Sequence, residues 1–113
     1  MTVRELVKQY QREIQATTLD ADRAAVLLTK LTALLGPCND EIREADALYA
    51  QKLLFCLDDY KSAGKARIAA ETSPEFARKA EARDYKELVL ELARSLKYFL
   101  RSRSEESALT RQG

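Results

Sequence analysis

Residues 69–76 read AAETSPEF, and the fold turns on this stretch. Ser73 suits a helix N-cap, Pro74 the first helical position, where no backbone N–H is required, and Glu75 the first turn, where a carboxylate meets the positive end of the helix. The alanines before it belong to a helix-forming run. Two helices meeting at Thr72-Ser73 with so short a link are expected to form an antiparallel hairpin.

Outward from that point, the spacing predicts a helix on each side. Over 39–71, Ile42, Ala45, Tyr49, Leu53, Cys56, Tyr60 and Ala63 recur every three or four positions, and Leu48, Phe55 and Leu57 widen the apolar face. Gly64 costs that helix about 1 kcal/mol relative to alanine, but the strong helix formers around it carry the prediction through to Glu71. Over 74–104, Phe76, Ala80, Tyr85, Leu88, Val89, Leu92, Leu96, Phe99 and Leu100 repeat in the same way, and residues 105–113 read as a frayed polar tail. A hairpin turning at 72–73 sets Tyr60 opposite Tyr85, Leu57 opposite Leu88, Cys56 opposite Val89, Leu53 opposite Leu92, Tyr49 opposite Leu96 and Ala45 opposite Leu100. All of these layers are apolar on both sides or carry a tyrosine.

Before the hairpin, Val3, Leu6, Val7, Tyr10 and Ile14 mark an amphipathic helix beginning near Thr2. Leu27, Leu28, Leu31, Leu34 and Leu35 resume the stripe after Thr17, Thr18, Leu19 and Asp20. One helix over 2–35 is read, with a kink or restart at 17–20 as the alternative. Gly36-Pro37 is taken as its stop, with glycine at the C-cap, and Asn39 or Asp40 as the next cap. The expectation is a single all-α domain over 1–113. It is a long, coiled-coil-like antiparallel hairpin with the N-terminal helix packed on its stem, a three- to four-helix bundle.

Composition agrees and narrows the chemistry. The 113 residues hold 46% hydrophobic and 33% charged side chains, with three glycines and two prolines, too few breakers for an all-β or disordered chain. Histidine is absent, which removes histidine-based triads, histidine metal sites and imidazole pH switches. Cys38 and Cys56 lie about 27 Å apart along a continuous helix, beyond disulfide reach. Cys56 reads as a core residue and Cys38 as a partly exposed loop thiol. No apolar run resembles a signal-peptide core or a membrane span, so a cytoplasmic protein without membrane contact is expected.

Net charge is +1, but its distribution is uneven. Residues 39–59 carry six acids against two bases, a net of −4, and residues 60–86 seven bases against four acids, a net of +3. In a hairpin turning at 72–73 the second set forms a basic tip. Lys61, Lys65, Arg67, Arg78, Lys79 and Arg83 are therefore the candidate nucleic-acid contacts, holding phosphates electrostatically with little base stacking. A rival reading is a protein-binding inhibitor or adaptor whose helical face includes Phe55, Tyr98 and Leu90.

No catalytic residue, metal ligand or cofactor is assigned. A third reading rests on Glu41-x-x-Glu44 and Glu81-x-x-Asp84, a carboxylate pattern of the kind that all-α nucleotide pyrophosphohydrolases use to hold Mg²⁺. In the expected hairpin the two pairs lie about 30 Å apart in height, which argues against an enzyme. Apolar residues on more than one face of the hairpin point to a homodimer.

The pattern EAD.LY..KLL from Glu44 and the run from Ser62 to Glu106 resemble small helical proteins encoded by phages and prophages, often in replication or recombination clusters. Lys65-Ala66-Arg67, Ser73-Pro74-Glu75-Phe76 and the closing Leu92, Arg94, Ser95-Leu96-Lys97, Leu100 and Ser102 carry the likeness. The resemblance covers a little over half the chain. It implies an accessory protein acting through DNA or through a phage or host protein, and it transfers no site residue.

Overall fold

A computed structural model describes the backbone of residues 2–16 and 19–112. Among these residues there are five helices and no strand: α1 (Val3–Gln15), α2 (Ala21–Ala33), α3 (Leu35–Asp59), α4 (Ala63–Glu71) and α5 (Pro74–Gln112). The all-α expectation holds. The chain divides into two compact units, Met1–Leu35 with Glu87–Gly113, and Gly36–Lys86, and α5 contributes to both.

Local signals place most helix starts. Thr2 closes a reciprocal capping box with Glu5, its hydroxyl accepting from the Glu5 N–H while the Glu5 carboxylate accepts from the Thr2 N–H, both at 3.2 Å. Asp20 caps α2 by accepting from the Arg23 N–H at 2.7 Å, so the N-terminal segment restarts as the alternative reading foresaw. Thr17 and Thr18 lie outside the described residues. Ser73 accepts from the Phe76 N–H at 3.3 Å, and Pro74 opens α5.

The first unit buries one row from each of its helices: Val7 and Tyr10 of α1, Ala24, Leu27 and Leu31 of α2, and Val89, Leu92, Ala93 and Leu96 of α5. These rows follow i, i+3, i+4, i+7 spacing and lie along the stripes that the sequence displays, with Ala24 and Ala93 added to them. Arg23 clamps the Glu13 carboxylate through Nε and, at 2.9 Å, through a terminal nitrogen, which fixes α1 against α2.

The second unit departs from expectation in where the chain reverses. The predicted helix over 39–71 stops at Asp59 and restarts at Ala63, with Ser62 in extended conformation and its hydroxyl accepting from the Lys65 N–H at 3.4 Å. The hairpin turns there, at Tyr60–Ser62, and Thr72–Ser73 is a joint between α4 and α5 within the returning arm. The contacts give the register. Ala66 and Ala70 pack on Cys56, with Tyr49, Leu53 and Ala69 around them. Tyr49 meets Phe76, ring centroids 5.4 Å apart, and Asp46 accepts from Arg83 at 2.9 Å. Tyr49 is therefore not opposite Leu96, nor Cys56 opposite Val89, and these predicted layers are displaced by about 20 residues, between five and six helical turns.

Charge complements the choice. Two apolar stripes of one period pair at several offsets, and this offset lays the bases of the returning arm on the acids of α3: Arg78 on Glu44 at 3.4 Å and Arg83 on Asp46. The net −4 and +3 segments complement each other within the chain.

Smaller corrections follow from the same helices. Gly36-Pro37 does not end a helix; both lie in the first turn of α3, where the missing proline N–H costs nothing, and neither Gly36 nor Gly64 has positive φ. Asn39 and Asp40 are accordingly helical rather than caps, and Cys38 is buried rather than a loop thiol. The predicted tail at 105–113 is helical through Gln112, since 105–112 contain neither proline nor glycine and Arg103 pairs with Glu106 one turn on; Gly113 lies outside the described residues.

Candidate interaction surface

The six predicted nucleic-acid contacts divide into two sets. Arg78 and Arg83 are bound to Glu44 and Asp46, and the Lys79 ammonium sits 4.6 Å from the centre of the Tyr49 ring. These three serve the register of the hairpin. Lys61, Lys65 and Arg67 are exposed at the turn and on α4. They share that end of the unit with Asp58, Asp59 and Glu71, also exposed, so the basic tip inferred from the sequence is not formed.

What the turn does expose is apolar. Leu54 and Phe55 are each 63% exposed, Leu57 and Tyr60 43%, and Ile68 on α4 64%. At 100° per residue, Leu54 and Leu57 share one side of α3, continued toward its N-terminus by exposed Ala47 and Ala50, while Phe55 turns toward α4. Phe55 and Tyr60 line an open cleft of about 320 Å³ with Lys52 and Asp59 of α3 and Ala69 and Thr72 of the returning arm. The Lys52 ammonium lies 5.4 Å from the Phe55 ring centre. Large apolar side chains gathered like this mark contact surfaces more often than singly scattered ones do.

Sequence reading found Phe55 and missed the rest. The predicted layers place Leu57 and Tyr60 in the hairpin interior, and the reversal at Tyr60–Ser62 brings them out. Tyr98, also named for the rival reading, is 73% exposed on α5 beside Glu91, Arg94 and Ser95, whereas Leu90 is half-buried.

The carboxylate pairs need a correction too. The Glu44 contact with Arg78, one turn from Glu81, puts the pairs at similar heights and removes the separation argued from the expected hairpin. Even so, among the described residues no three His, Cys, Asp or Glu side chains converge as ligands would.

Burial lifts the Cys38 thiol above its usual range, the Glu41 carboxylate adds to the lift, and the Lys86 ammonium opposes it. A protonated, enclosed thiol is a poor nucleophile. No helix among the described residues is long and apolar enough to cross a membrane.

The chain matches no protein-family model, no curated protein and no solved structure.

Proposed function

We propose that this chain is a non-enzymatic helical interaction module that docks a protein partner on the apolar surface around the α3–α4 turn. The observation that carries the reading is the concentration of Leu54, Phe55, Leu57, Tyr60 and Ile68 within fifteen consecutive residues of one compact unit. Such residues supply the desolvated anchors of protein interfaces, while the mixed charges around them supply a polar rim. The reading needs no cofactor. It is compatible with an accessory role of the kind implied by the resemblance to phage and prophage proteins.

Exposure of Lys61, Lys65 and Arg67 favours a second reading, electrostatic contact with DNA. A photo-crosslinking amino acid at position 55, and separately at position 67, tests the two in living cells. Protein adducts at 55 that vanish with Leu54→Glu support the first reading. Nucleic-acid adducts at 67 without protein adducts at 55 overturn it in favour of the second.

A further inference from the structure

The reversal at Tyr60–Ser62 is a place where this sequence has two ways to continue. Nothing in residues 56–66, CLDDYKSAGKA, forbids a helix: there is no proline and no β-branched residue. The side-chain cap at the link is Ser62, with a long 3.4 Å hydrogen bond; the backbone bonds there, Tyr60 N–H to Cys56 and Ala66 N–H to Ser62 at 2.9 Å, are of the i to i−4 kind that a continuous helix keeps, and no positive φ locks the link. Ten residues separate Cys56 from Ala66, within a quarter turn of three whole helical turns. Straightened, α3 and α4 would therefore present their packing residues on one side of a continuous helix.

We propose that the chain forms a two-fold dimer by exchanging its returning arm: the link straightens, α3 and α4 join, and each copy's arm from Ala63 onward packs on α3 of the other. The second copy is the partner of matching chemistry, because its α3 offers the same acids to Arg78 and Arg83, the same Tyr49 ring to Phe76, and the same Cys56 seat to Ala66. Every one of these contacts is kept. Because the hairpin is antiparallel about residue 61, the two straightened helices lie antiparallel about that same point, which closes the symmetry. The exchange also sets both copies' Tyr60, about 40° from Cys56 around the helix and 43% exposed in the closed chain, beside the axis. The exchange removes the turn around which the partner-docking reading is built and competes with it for Tyr60, but mass and inter-copy linkage test it apart from the crosslinking that tests that reading.

The two states need opposite things of the link. Ser62→Ala removes the cap that only the closed form uses. Two links open per dimer, so the association constant rises on the order of thirtyfold. Ala63→Pro occupies the first helical position of α4, where a backbone N–H has no partner to lose, and bars the continuous helix. It should suppress the dimer, and two glycines inserted after Lys61 should do the same if the proline variant misfolds.

Refolding at high and low concentration followed by light scattering should give a species of twice the 12.8 kDa chain mass, populated in that order by the variants. In a Cys38→Ser background, an oxidised Ala66→Cys variant should link to Cys56 of the other copy, giving a covalent dimer in that species. A monomer at all concentrations even with Ser62→Ala overturns the proposal. So does a dimer indifferent to Ala63→Pro, or a Cys56 link confined to single chains.

Discussion

At the residue scale, the sharpest disagreement between pattern and packing concerns small groups. Cys38 stands beside a Gly-Pro pair, and the local sequence suggests a loop; in the structure it is 1% exposed on α3. Its raised thiol pKa follows from that enclosure. Alkylation of native protein near neutral pH is therefore expected to be slow at both cysteines and fast in denaturant. Rapid labelling of Cys38 without unfolding would contradict its placement. Glu13 shows the converse effect. The Arg23 guanidinium, hydrogen-bonded to its carboxylate, lowers its pKa, outweighing the opposing desolvation. A carboxylate whose folded pKa is depressed stabilises the fold above its unfolded pKa and loses that contribution as pH falls through the folded value. Glu13→Gln should thus lower the melting temperature at neutral pH and match the parent in acid. A deficit persisting at low pH would assign Glu13 a role other than the ion pair.

At the element scale, Gly36 separates two descriptions of the α2–α3 junction. A glycine capping a helix with positive φ resists replacement, whereas one inside a first turn does not. Gly36 has no positive φ, and a Cβ built on it meets nothing within 4 Å. Gly36→Ala is accordingly expected to stabilise the protein by about 0.4–1 kcal/mol, by restricting the unfolded chain; destabilisation measured by urea unfolding would restore the C-cap description. In the first unit, Leu27 is fully buried. Leu27→Ala should cost about 2–5 kcal/mol through lost transfer energy and the cavity left behind, and a cost below that range would mean the site collapses.

At the scale of the whole molecule, charge pattern has a structural use that its distribution along the sequence conceals. The acids of 39–59 and the bases of 60–86 look like two surfaces meant for different partners. Folding at Tyr60–Ser62 sets them against one another instead, with Arg83 on Asp46 across 37 positions of sequence. Both side chains are partly exposed, so the pair contributes about 0.2–1 kcal/mol, and Arg78 on Glu44 adds a second match of sign at the same offset. A double-mutant cycle over Asp46→Arg and Arg83→Asp should show each single change destabilising and the double exchange recovering most of the loss. Equal additive losses would mean that packing alone sets the register.

Short-range signals suffice for the helical class, for the starts of α1, α2 and α5, and for the large apolar residues of the first unit's buried rows. These properties depend on contacts within four residues: caps at Thr2, Asp20 and Ser73, and apolar repeats at three and four positions. The candidate surface was legible only at Phe55. Where the chain reverses was decided by tertiary structure, because a repeating apolar stripe has no unique partner offset, and residues 56–66 suit a helix as well as a turn. The contacts that chose the offset, Tyr49 with Phe76 and Asp46 with Arg83, join residues far apart in sequence. With that choice went the rest: it tied down Arg78, Lys79 and Arg83, and brought Leu57 and Tyr60 to the surface.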